Sequence, residues 1–238
     1  MLDMMTLGWP ELNPASISMD YETALMNSFG AYFPLAETHG CFFHLVQNMK
    51  RKVAACGLSR RYREEPDFAL KAKMISAMAF VPIHRIEEAL GVLQSTLPAE
   101  LQPVLDYFED HYVGRLYMAN GTPGRRQPQF PVAMWTVYER TMNDEARTNN
   151  YVEAFHRSLQ RQFGVDHPGL FKFIDGLKTM QHMKDAQMER YISGHHPPKK
   201  RNQYVLNDTR IKEILNRMPD RPISQTLRGI AHTYDMNP

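Results

Sequence analysis

The sequence predicts a mostly helical fold that begins with a small parallel β element. In "NPASISMD" the apolar residues Ile17 and Met19 alternate with polar ones, which is the period-two pattern of a short strand that ends at Asp20. Helix and strand signals then alternate along the next 40 or so residues. After Pro66 the strand signals stop and helical periodicity continues almost to the end of the chain.

The N-terminal elements follow in the order strand, helix, strand, helix. A helix is predicted over "YETALMNSFGAYF" (21–33), and the apolar run "CFFHLV" (41–46) predicts a second, buried strand. From residue 45 the apolar positions recur at helical spacing, and Gly57 is a plausible helix end. Two strands joined by a helix favour parallel pairing through a right-handed crossover.

The rest of the chain is predicted to be helical around one polar loop. Helices are expected over 67–80, 83–95 and 99–116, a loop over 118–131, two shorter helices after it, a long helix over 168–192 and a short one over 207–217 before a frayed tail. The predicted domains are a partial core (1–63), a helical subdomain (64–130), returning core helices (131–192) and a basic linker with the C-terminal tail (193–238).

Composition narrows the class of protein. The chain has 238 residues, a formal net charge of +2 and two cysteines, so a disulfide framework is excluded and a reducing compartment is favoured. No stretch approaches the roughly 20 apolar residues that span a bilayer. The N-terminus has neither the basic start nor the apolar segment of a signal peptide. We therefore expect an intracellular protein with no membrane partner.

A basic stretch follows the second predicted strand. Its cations are Lys50, Arg51, Lys52, Arg60, Arg61 and Arg63, with no acidic residue among them. Such a stripe is where a phosphate backbone can bind, and a solvated helix face is the alternative.

Two carboxylates stand apart from the surface charge. Asp20 ends a predicted strand, and Glu153 lies beside the apolar face of a predicted helix. That apolar face consists of Val152, Phe155, Leu159 and Phe163. Carboxylates placed in this way can hold Mg²⁺ or Mn²⁺ for phosphoryl transfer. The alternative for Asp20 is a helix N-cap.

Two segments resemble the Mutator-like element (MULE) transposases. "NPASISMDYETALMNSFGAYFPLAETHGCFFHLVQNMKRKV" resembles the region of the family's second catalytic aspartate, with Asp20-Tyr21-Glu22 and then Cys41-Phe42-Phe43-His44. "FPVAMWTVYERTMNDEARTNNYVEAFHRSLQ" resembles the helix with the third acidic residue, where Thr148-Asn149-Asn150 leads to Glu153. The resemblance extends from the first residues to about Met180.

The resemblance implies an RNase H-like catalytic core with an all-helical insertion, and DNA cleavage and strand transfer at an Asp-Asp-Glu metal site. Asp20 and Glu153 would then be catalytic and metal-binding, with Mg²⁺ or Mn²⁺ as cofactor. Cys41, His44, Asn149 and Asn150 would be supporting motif residues. The implied partner is DNA, self-association is a further expectation, and "PPKKR" (197–201) could direct nuclear import.

The family's first aspartate lies on an upstream strand, and only nineteen residues precede Asp20 here. We therefore expect a truncated RNase H-like fold that does not catalyse strand transfer by itself. The alternative is a domesticated, non-catalytic helical module that binds DNA or protein. A third reading, a small zinc site on Cys41 and His44, lacks a second ligand pair in the sequence.

Overall fold

The computed structural model describes residues 2–119, 121–197, 202–234 and 236. The chain divides into two compact units, Met1–Thr148 with Leu206–Pro238, and Asn149–Val205. The fold is mostly helical with a small two-stranded parallel sheet, as predicted. None of the described helices combines the length and the apolar character needed to cross a lipid bilayer.

The N-terminal elements are α1 (Leu2–Gly8), β1 (Ser16–Met19), α2 (Thr23–Tyr32), β2 (Glu37–Gly40), α3 (Phe42–Ala55), α4 (Ser59–Glu64) and α5 (Pro66–Ala77). They are followed by α6 (Ile86–Thr96), α7 (Gln102–Phe108), β3 (Leu116–Ala119), β4 (Thr122–Arg125), α8 (Val132–Trp135), α9 (Tyr138–Met142), α10 (Asn150–Phe163) and α11 (Leu170–Ile192). The last helices are α12 (Asn202–Asn216) and α13 (Ile223–Ala231).

β1 and β2 pair in parallel, with α2 as the connection between them. The register runs from Ser16 opposite Glu37 to Met19 opposite Gly40. The ladder continues one step further, because the Cys41 amide donates to the Met19 carbonyl at 3.0 Å. The two strands therefore end side by side, and the residues that follow them lie at one edge of the sheet.

The prediction of a strand over 41–46 is wrong. The second strand is the polar segment Glu37–Gly40, and "FFHLV" instead forms the first turns of α3. A short apolar run does not distinguish a buried strand from a buried helix start. Here Cys41 occupies the N-cap position, and Phe42, Leu45, Val46 and Met49 recur at helical spacing on the buried side.

The core of the first unit is built around α5, which is buried on most of its surface. Phe68, Leu70, Met74 and Ile75 all contribute to the core. A helix that is apolar on most sides must be covered by several neighbours, and α3, α4 and α13 all pack against it. The helices predicted over 67–80, 83–95 and 99–116 are present, with short 3₁₀ or π segments at their ends, but the last of them ends at Val113 and Leu116 already belongs to β3.

Two further predictions need correction. The segment 118–131 is not wholly a loop, because β3 and β4 form an antiparallel hairpin that turns at a glycine, Gly121, with φ of +79°. The tail after residue 217 is not frayed, because α13 buries Ile223, Leu227 and Ile230. Their spacing of four and three residues is an amphipathic pattern that was visible in the sequence.

The second unit contains α10 and α11, which pack against each other. The ring of Phe163 stacks on Phe173 with centroids 5.3 Å apart. Gly176 allows this approach, since a Cβ atom there would lie 2.7 Å from Phe163 Cδ1. The face predicted to be buried on α10 is buried only in part, because Phe155 is 41% exposed while Phe163 is buried.

Candidate functional site

Asp20 and His44 lie at the carboxyl edge of the parallel pair. Asp20 directly follows β1, and His44 lies in the first turn of α3, just after β2. His44 Nδ1 is 2.9 Å from Asp20 Oδ1. The side chains are 26% and 44% exposed, so the pair is partly open to solvent. The separation is that of a close ion pair, although His44 Nδ1 has no hydrogen-bond partner of regular geometry among the described residues.

Cys41, the first residue of the Cys-x-x-His motif, directly follows β2 and precedes α3. It is buried, at 1% exposure, and its backbone amide pairs with β1 as described above. No group of three or more histidine, cysteine, aspartate or glutamate side chains forms a metal-binding cluster in the described part of the chain. The described residues therefore give no support to the hypothesis of a small zinc site on Cys41 and His44.

A buried arginine, which the sequence analysis missed, holds the end of β2. The Arg140 guanidinium donates to the Gly40 carbonyl at 3.1 Å, and also to the carbonyls of Ala146 and Thr136. Burial lowers the pKa of Arg140, and the nearby Tyr21 hydroxyl partly opposes that shift. Nothing in "VYERT" distinguishes this arginine from a surface cation, so only the fold reveals its position.

Tyr21, the middle residue of the Asp-Tyr-Glu motif, packs into the core next to Asp20. Its ring makes edge contacts with Tyr112 and Phe130, at centroid distances of 5.5 and 5.0 Å. Burial raises the pKa of Tyr21 well above its ordinary value, and Tyr112 adds to that shift. The hydroxyl accepts or donates no hydrogen bond among the described residues. The motif tyrosine is therefore a packing residue that fixes the backbone of Asp20.

The six predicted DNA-binding cations fall into two groups. Arg60 is paired with Glu64 at 3.0 Å, and Arg61 is paired with Glu65 and with Glu100. The other four, within the described part of the chain, have no carboxylate at ion-pair distance. These four, Lys50, Arg51, Lys52 and Arg63, form what we call the cationic face.

The cationic face adjoins the Asp20–His44 pair because α3 carries His44 together with Lys50, Arg51 and Lys52, whereas Arg63 lies on α4. His44 and Arg51 are seven residues apart, about two helical turns, so they share one side of α3 about 10 Å apart along its axis. Lys50 and Lys52 flank Arg51, and the Lys52 ammonium lies 5.3 Å from the centre of the Tyr107 ring. The opposite side of α3 is buried, so this side is the one presented to solvent.

Glu153 belongs to the second unit, at the start of α10. Asn149 precedes the helix and is buried, and its carbonyl accepts hydrogen bonds from the Val152 and Glu153 amides. Asn150 is the first residue of the helix and is exposed. Glu153 Oε2 is 3.3 Å from the Arg157 guanidinium, whereas Oε1 is shielded from solvent without a donor among the described residues.

The described residues do not by themselves fit a Mg²⁺ or Mn²⁺ centre. Such ions need about six ligands, mainly oxygen atoms, and usually one or two carboxylates together with water or substrate. Asp20 is engaged by His44 and Glu153 by Arg157, and the two carboxylates belong to different compact units. The divalent cation therefore stays a prediction, and we derive no chemical step from it.

Fold and site together define a mostly helical protein in which a cationic helix face adjoins a strand-end carboxylate. Comparison of the chain with protein-family models, with curated proteins and with solved structures found no match. The function must therefore be argued from the geometry.

Proposed function

We propose that this chain is a DNA-binding part of a MULE-type transposase catalytic domain with an RNase H-like core. The observation that carries this proposal is the contact between Asp20 and His44. It joins the Asp-Tyr-Glu and Cys-x-x-His motifs at one sheet edge, directly beside the cationic face. Asp20 and Glu153 are the carboxylates assigned to cation binding in this proposal.

DNA would bind along the cationic face through its phosphates. Phosphate contacts by lysine and arginine release counterions, so affinity falls with salt at a slope of about −0.9 per contact on B-form DNA. Four unpaired cations predict a slope near −3.6 for duplex DNA. Such binding carries no sequence information, because phosphates are the same at every base pair. Nuclear localisation follows from this proposal as an expectation; Lys199, Lys200 and Arg201 of "PPKKR" lie outside the described residues.

The test is fluorescence anisotropy of a labelled duplex titrated with protein at several salt concentrations. Arg51→Gln should reduce the magnitude of the salt slope by about 0.9 and weaken binding of unrelated sequences equally. The matched control is Arg60→Gln/Glu64→Gln, which removes a neutral ion pair from the same basic stretch. The control should leave the slope unchanged. Equal effects of both variants, or a slope near zero in the wild type, would refute the DNA proposal.

A second candidate function is supported by the second unit. A groove of about 400 Å³ on α10 and α11 is lined by the apolar residues Phe155, Leu177 and Met180 and by the polar residues Lys178, Gln181 and Lys184. Apolar and basic residues lining one groove complement an amphipathic helix with acidic edges. In this second candidate function the chain is a non-catalytic module, and the groove binds an acidic amphipathic helix of a partner protein.

The two candidates are separated by one variant. Leu177→Asp places a charge in the apolar groove and should abolish binding of an acidic amphipathic helical peptide. The same variant should not change the salt slope of DNA binding. Peptide binding that survives Leu177→Asp would rule out the groove, and circular dichroism verifies that the helices remain folded.

A further inference from the structure

A cleft of about 200 Å³ lies beside the cationic face. Helix α3 contributes Lys50, Val53 and Ala54 to its lining, and α4 contributes Ser59, Tyr62 and Arg63. Met236 completes the lining. The cleft is smaller than the roughly 300–1,000 Å³ typical of sites for drug-sized ligands, so it suits one charged group and the nearest part of the molecule attached to it.

The lining of the cleft carries two positive charges. Lys50 and Arg63 come from different helices and converge on the same space. No described carboxylate lines the cleft, whereas the neighbouring Arg60 and Arg61 are both neutralised. Because both lining cations lack a partner among the described residues, the cleft has capacity for about two negative charges.

The cleft also has apolar lining residues. Val53 and Met236 are both buried, and Ala54 adds a methyl group. A purely inorganic ion gains nothing from such residues. A ligand that has a charged end and an apolar or aromatic body satisfies both kinds of lining residue at once.

We propose that this cleft binds a phosphate monoester attached to an apolar or aromatic group. A monoester carries between about 1.5 and 2 negative charges at neutral pH, which matches Lys50 and Arg63 better than the single charge of a backbone diester. Arginine can bind such a group through two parallel hydrogen bonds. The same chemistry is offered by a free mononucleotide and by the 5′-phosphate end of a DNA strand.

The proposal rests in part on the proposed DNA function, since Lys50 and Arg63 also belong to the cationic face. The two are separable because Ala54 lines the cleft without carrying charge. Ala54→Leu fills the cleft and leaves every cation in place. Ala55→Leu adds the same volume to the neighbouring residue of α3, which does not line the cleft, and is the matched control.

The experiment measures the binding of three probes to the 238-residue chain. The probes are 5′-AMP, a duplex with 5′-phosphates and the same duplex with 5′-hydroxyls. The expected result is that the wild type binds 5′-AMP or prefers the phosphorylated duplex. Ala54→Leu should lower the affinity for 5′-AMP, or the preference for the phosphorylated duplex, at least tenfold. Arg63→Gln should have a similar effect, and Ala55→Leu none.

The outcomes also identify the source of the phosphate. Binding of 5′-AMP without a preference for the phosphorylated duplex indicates a free nucleotide, and the converse indicates a strand end. The proposal is overturned if neither phosphate monoester is preferred, or if Ala54→Leu binds them as tightly as the wild type. A hydroxyl-ended duplex that keeps its salt slope in Ala54→Leu shows that the DNA function stands independently of the cleft.

Discussion

His44 Nδ1 lies 2.9 Å from Asp20 Oδ1, so the first residue of one sequence motif contacts the last residue of the other. The contact exists because β1 and β2 are parallel and end at the same edge of their sheet. Neither motif has a unique meaning in isolation. Their contact is what makes the edge a candidate site, and the position of His44 on α3 puts this edge beside the cationic face.

The strength of this contact can be measured with a double-mutant cycle on Asp20→Asn and His44→Gln. Because both side chains are partly exposed, we expect a coupling free energy of about 0.2–1 kcal/mol at a pH where the histidine is charged. Urea unfolding of the wild type, the two single variants and the double variant gives this value. A coupling of about 3 kcal/mol or more would mean that the pair is buried in solution.

The sequence predicted β1 and α2 because the apolar residues of β1 alternate and those of α2 recur at helical spacing. The parallel crossover followed from the order strand, helix, strand. It misplaced β2 because "ETHG" has no apolar alternation, and its strand conformation comes from pairing with β1. The helix α3 was recognised, but its first turn was assigned to a strand, since "CFFHLV" is apolar throughout. Whether such a segment becomes a strand or a helix is decided by its pairing and packing with distant parts of the chain. The local sequence does not contain that information.

The candidate site was predictable to a similar extent. The position of Asp20 at a strand end follows from local alternation. The buried position of Arg140 depends on contacts with Gly40, a hundred residues away, and no local pattern indicates it. Likewise, the sequence shows a run of cations but not which of them are neutralised. Arg61 is paired with Glu100 only because α4 and the short 3₁₀ turn before α7 are neighbours in the fold.

A second prediction concerns the two glycines Gly40 and Gly30. A Cβ atom at Gly40 would lie 2.6 Å from Tyr21 Cζ, and the Tyr21 ring is enclosed by Tyr112 and Phe130. Gly40→Ala should therefore destabilise the fold by about 1–3 kcal/mol through overpacking.

The matched substitution is Gly30→Ala in α2, where a Cβ atom meets nothing within 4 Å. It should stabilise the chain by about 0.5–1 kcal/mol through helix propensity. Urea midpoints of the two variants should shift in opposite directions. A urea midpoint for Gly40→Ala that is equal to or higher than that of the wild type would show that the packing of Tyr21 on Gly40 is not maintained in solution.

A third prediction concerns the pH dependence caused by His39. Burial lowers the pKa of His39, the Arg140 guanidinium adds to this, and the Glu37 carboxylate, 3.4 Å away, opposes it. The unfolded chain therefore takes up this proton at a higher pH than the folded chain. Between the lowered pKa and the unfolded value of about 6.5, the free energy of unfolding should rise with pH.

The slope from this one group cannot exceed about 1.4 kcal/mol per pH unit. His39→Gln should remove its contribution, as measured by urea unfolding from pH 4 to 8. Glu37→Gln removes the carboxylate that favours the charged imidazole, so it should extend the rising region to lower pH. Identical profiles for the wild type and His39→Gln would contradict the assigned cause.

The final prediction concerns divalent cations. Because the described residues bring no three potential ligands together, we expect only weak binding of Mn²⁺, in the millimolar range or above. Isothermal titration calorimetry should give the same small heats for the wild type and for Asp20→Asn/Glu153→Gln. Micromolar binding that the double variant abolishes would contradict this expectation. It would also show that Asp20 and Glu153 converge on one cation in solution, and would then strongly support the transposase assignment.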